Sequence, residues 1–145
     1  MPNQSGRATS LERQLINALS VSGNFEQAKL ELTKLENLLN SLKRVRDYST
    51  YGPQWESQYE SARGIYFSYQ GQWIESERSL RKAIQLLKSG YANVKGSSSK
   101  INELDNEENV ESDSQNNSRG YITQLISRQL NLSLVLLQQR KLIDS

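Results

Sequence analysis

Cysteine and histidine are both missing from this 145-residue chain. The first absence excludes disulfides and thiolate metal sites; the second removes the commonest general base and the commonest zinc ligand. Long apolar runs are missing too. The longest is Leu134 to Leu137, far short of a bilayer span, so no membrane association is expected. The N-terminal Met1-Pro-Asn-Gln-Ser-Gly-Arg has no apolar segment behind its charge, so no secretory signal is read and a cytoplasmic location is the default. No glycine-rich phosphate motif occurs: Gly64 and Gly71 stand on a helix and its turn with no strand before them. Apolar residues make up only 35%, and the shortage is local, because residues 95–119 hold just Ile101, Leu104 and Val110.

Charge divides the same way. Residues 95–119 carry three basic and six acidic side chains, leaving 15 basic and 10 acidic elsewhere. A net charge of about +5 with interspersed acids is thin for a nucleic-acid interface, and none is expected. The polar, low-complexity stretch 96–118 cannot offset its ordering entropy by burial, and is read as a disordered acidic Ser/Asn-rich insert.

What the chain does have is helical periodicity. Thr9 and Glu12 have capping-box spacing, and Leu11, Leu15, Ile16 and Leu19 recur at helical period until Gly23 supplies a left-handed stop. Phe25, Ala28, Leu32, Leu35, Leu39 and Leu42 begin a second stripe, ending near Asp47. Residues 47–52 read as a linker, with Pro53 as the first residue of a third helix. Trp55, Tyr59, Ala62, Tyr66, Tyr69 and Trp73, spaced by fours and threes, form a seam better suited to a core than to ligand stacking. A fourth helix follows Gly71 and a last one runs from about Tyr121. The expected helix pairs are 9–46 and 53–91, with an unfinished third from 120, all within one repeat domain over 8–145.

The strings around the breaks superpose: Gly-Asn-Phe-Glu-Gln-Ala at 23–28, Gly-Gln-Trp-Ile-Glu-Ser at 71–76 and Arg-Lys-Leu-Ile-Asp-Ser at 140–145. Large residues stand two after each break (Phe25, Trp73, Leu142) and four before it (Leu19, Phe67, Leu136). Small ones stand five after it (Ala28, Ser76, Ser145). Small residues let helix axes approach, and large ones wedge between them.

This pattern resembles the tetratricopeptide repeat (TPR), most fully over 57–90, where Gly64, Phe67, Gly71, Trp73, Ser76, Leu80 and Ala83 match the family's positions. Departures are Ile16 and Leu35 in the first copy, Arg140 at the third turn, and breaks 48 and 69 residues apart where about 34 is usual. The resemblance implies an all-α fold of antiparallel helix-turn-helix repeats, an α-solenoid of about two and a half repeats, which binds a protein or peptide on its concave face. The third copy stops at Ser145 where its second helix should begin, so the chain is expected to be cut from a longer one.

Family positions transferred onto this chain give Arg13, Asn17, Gln58, Ile65, Tyr69 and Asn131 as the partner-binding residues. Arg13 and Asn17 match the first two members of the family's carboxylate clamp, but Ala62 and Ser127 do not match the rest, which disfavours recognition of a chaperone tail. The expected role is an interaction scaffold: not an enzyme, with no cofactor and no metal, and with self-association through an exposed last helix. Two other readings stay open, a ligand- or peptide-sensing region of a regulator and the accessory array of a larger peptidase-type protein.

Overall fold

The computed structural model describes the backbone of residues 2–46, 48–102 and 108–144, and the side chains of 5–46, 48–93 and 119–142. The described residues form five helices and no strand: α1 (Pro2–Val21), α2 (Phe25–Leu42), α3 (Tyr48–Tyr69), α4 (Trp73–Asn102) and α5 (Glu108–Asp144). The chain is all-α.

The first two breaks are the same turn built twice. Gly23 and Gly71 take φ of 82° and 74°, a conformation open to glycine because it has no Cβ. In each, the glycine N–H donates to the carbonyl three residues back (Ser20, Ser68; both 3.1 Å), and the following N–H reaches back five residues (Asn24 to Leu19, 2.9 Å; Gln72 to Phe67, 3.0 Å). This paired bonding satisfies the end carbonyls of α1 and α3. The next helix then starts at once, with Asn24 Oδ1 accepting from Gln27 N. Ala28 and Ser76, the small residues of the repeat, are both fully buried.

Breaks this short fold α1 against α2 and α3 against α4 as antiparallel hairpins. The packing is ordered: α1 and α3 lie side by side, α2 packs on α3, α5 packs along α4, and α3 touches α5. Ile16, Leu32, Leu35 and Ala62 join the first three helices in one core cluster; Leu39, Leu42 and Trp55 form another, flanked by Tyr48, Tyr51 and Tyr59. Leu80, Ala83 and Leu87 of α4 and Tyr121 and Val135 of α5 are buried further along. At the α3–α4 crossing Ser76 Oγ donates to the Gly64 carbonyl at 2.7 Å.

The helices are longer than the spacing predicts. Thr9 does not cap α1; it is buried within the helix and its Oγ1 donates to the Gly6 carbonyl at 3.0 Å. Tyr48 and Tyr51 belong to α3 rather than to a linker, because their rings pack on Trp55 at 6.1 and 6.0 Å and the Tyr48 hydroxyl bonds Glu56. Pro53 therefore sits inside the helix, where it removes one backbone bond. Gly52 before it has no Cβ to clash, and the Tyr48 ring occupies that room, 3.0 Å from where a Cβ would stand. The turn expected at Arg140 is absent, and α5 continues to Asp144. Arginine has no cheap left-handed conformation with which to stop it. Trp73, expected as the main wedge of its hairpin, is only half-buried.

Asp47 lies outside the described residues. So do 103–107, and with them the middle of the expected insert; on either side the backbone continues helical, to Asn102 and from Glu108. No helix among the described residues is long and apolar enough to cross a membrane.

Candidate functional site

Alternate helices run in the same direction because each hairpin reverses the chain. Gly6 lies beside Trp55 and Ile16 packs with Ala62, so α1 and α3 run parallel. Gly120 lies beside Gln54, and Gln58 Nε2 donates to Gln124 Oε1 at 3.3 Å, so α5 also runs parallel to α3. This register sets Arg13 of α1, Ser57, Gln58 and Ser61 of α3, and Arg128 of α5 at one level.

The structure brings only part of the expected set together there. Arg13 and Asn17 are half-buried on α1, and Gln58 is nearly buried on α3. Ile65 and Asn131 are half-buried further along their helices. Tyr69, in the last turn of α3, is 51% exposed. Ser61 is also one of the transferred family positions; Arg128, Ser57 and Gln124 were not read from sequence. Arg128 carried a usable signal. Tyr121, Arg128 and Val135 are seven residues apart and all buried, so a charged residue occupies an apolar stripe.

Arg128 is 3% exposed, yet its Nε has no hydrogen-bond partner, and one Nη reaches only its neighbour Ser127 Oγ at 3.3 Å. The Nε of Arg13, Oδ1 of Asn17, Oγ of Ser57 and Ser61, and Oε1 of Gln58 are likewise buried without partners. Burial, and secondarily the charge of Arg13, pushes the Arg128 guanidinium down to about 10; burial alone lowers that of Arg13. The neighbouring Glu12 does not neutralise them. It faces Glu31 of α2, and its carboxyl is raised by burial first and then by that neighbour. A buried charge left without a counter-charge costs about 3–5 kcal/mol, a large part of the roughly 5–15 kcal/mol that holds a domain folded.

Three carboxylates elsewhere do meet a cation: Glu31 with Lys34 at 3.1 Å, Glu77 with Arg81 at 2.9 Å and Glu60 with Lys82 at 3.4 Å. Two clefts of about 350 and 320 Å³ open on the other side of α3, against α2. The first holds Tyr59, Tyr66 and Phe67 with Arg63, whose guanidinium already lies 5.3 Å over the Phe67 ring. Among the described residues no group of three or more acidic side chains is placed to hold a metal.

Comparison with protein-family models, with curated proteins and with solved structures finds no match.

Proposed function

We propose that the chain is an interaction scaffold of the TPR-like kind, an α-solenoid whose inner face, formed by α1, α3 and α5, takes a polypeptide. The two matched turns, the Gly64–Ser76 close approach and the alternation of inner and outer helices support the solenoid reading. The observation that carries the binding role is the set of buried side-chain groups without partners on that face, Arg13, Asn17 and Gln58 among them. Groups of this kind lose solvation on folding and recover hydrogen bonds when a complementary ligand arrives. No catalytic role is assigned to any residue.

The test is selection of binders from a displayed peptide library by the intact chain. Selected peptides should lose affinity for an Arg13→Glu, Tyr69→Ala double variant of unchanged helicity, and keep it for a Lys29→Ala variant on α2. Failure to select any peptide, or equal binding to all three chains, would overturn the reading.

A further inference from the structure

We infer that Arg13 and Arg128, with the Ser57 and Ser61 hydroxyls at the same level, form an oxyanion site at the α1–α3–α5 junction for a carboxylate or phosphate group.

The sign of the ligand follows from the side chains at that level. Two guanidinium groups stand at that level, near enough for the charge of Arg13 to act on Arg128, and among the described residues neither makes an ion pair. Each presents a planar fork of donors, the geometry that holds a carboxylate or phosphate through paired bonds. The serine hydroxyls are free to rotate as further donors; Gln58 already donates its Nε2 to Gln124, and its unpartnered Oε1 is an acceptor suited to a guanidinium and not to the anion. The register supports the grouping without reference to charge, since the contacts at Gly6, Ile16, Gly120 and Gln124 place these positions side by side. Ser57 and Ser61 are fully buried and Arg128 nearly so, which withholds these donors from water.

Two sources could supply that group. One is the carboxylate of a bound polypeptide, a version that rests on the scaffold reading above. The other is free phosphate, which does not.

The first measurement is the melting temperature of the intact chain in chloride and in inorganic phosphate at equal ionic strength. The second is binding of amidated octapeptides that each carry one Asp or Glu, beside counterparts with Asn or Gln. The variants are Arg128→Met, which keeps length and loses charge, and Arg128→Lys, which keeps charge and loses the fork. Far-UV circular dichroism confirms that each is folded. The parent should gain several degrees in phosphate, or bind acidic peptides at least about tenfold better than their amides. Arg128→Met should melt no lower than the parent in chloride and lose both responses, and Arg128→Lys should recover them in part. Stabilisation by phosphate with no peptide binding supports the site and removes the scaffold reading. Peptides that bind parent and Arg128→Met equally overturn the oxyanion site and leave the scaffold standing. Indifference of the parent to phosphate and to acidic peptides alike overturns the site outright.

Discussion

Gly64 of α3 and Leu80 of α4 approach so closely that a Cβ on Gly64 would stand 2.7 Å from Leu80 Cγ and 3.3 Å from the Ser76 carbonyl. Leu80 is fully buried and cannot swing away. Gly64→Ala would gain up to about 1 kcal/mol of helix propensity, but overpacking a core crossing costs about 1–3 kcal/mol. A net loss of roughly 1–2 kcal/mol is expected, read as a lower urea midpoint at unchanged slope. A midpoint at or above that of the parent would show that the crossing has slack.

The two tryptophans should separate. Trp55 is 3% exposed and held between tyrosines, so Trp55→Ala should cost about 3–5 kcal/mol. Trp73→Ala should cost clearly less, since that ring is half-buried. Acrylamide quenching checks the geometry independently: Trp73→Phe, which leaves Trp55 alone, should give the protected emission.

Tyr121 is buried under α4, where a Cβ on Gly90 would come 2.5 Å from its hydroxyl, and that hydroxyl has no partner. Burial first, and then Tyr51, pushes its ionisation up to about 12. A raised phenol pKa means that the folded chain resists the phenolate. The stabilisation it reports is complete below about pH 10 and is lost as the pH climbs through 12, amounting to about 3 kcal/mol. Tyr121→Phe should be neutral or mildly stabilising at pH 7 and should flatten the alkaline fall. An alkaline profile identical to the parent's would show that the hydroxyl is not desolvated.

Gln139 ties α5 to the start of α4, its Nε2 donating to the Trp73 carbonyl and to Glu77 Oε2, each at 3.1 Å. This contact, followed by Arg81, holds the Glu77 carboxyl below the usual carboxylate range. The associated stability is present above that range and is lost as the pH falls through it. Gln139→Leu should cost about 1 kcal/mol at neutral pH and weaken the acid dependence. Unfolding curves at pH 7 and pH 3 for parent and variant would show both effects.

How much of this was legible in the sequence depends on the range of the interaction. The turns at Gly23 and Gly71 were, because a left-handed residue is a property of one position and its neighbours. Buried Ala28 and Ser76 were, because their offset from the glycine repeats. The start of α3 was missed although Tyr48, Tyr51 and Trp55 extend the seam by three and four, because Gly52-Pro53 reads as a break and Pro53 as a first helical residue. Thr9 looked like a cap because hydroxyl spacing is the same whether the side chain bonds forward or back to Gly6. Of the candidate site, α1 and α3 gave Arg13, Asn17 and Gln58 through their matching positions. Arg128 escaped because a charged residue on a helix is ordinarily taken for its wet face, although its seven-residue spacing from Tyr121 and Val135 put it on their stripe.

The two glycine turns carry one more consequence. A Cβ at Gly23 or Gly71 would meet nothing within 4 Å, and both residues are exposed, yet their φ of 82° and 74° is the region that L side chains avoid. These hairpin tips are therefore limited by handedness and not by room. An L-alanine there bears the mirror-image penalty of about 1–2 kcal/mol in full, with no clash to relax. D-alanine, which prefers this φ, would instead narrow the unfolded chain and stabilise each hairpin by about 0.4–1 kcal/mol.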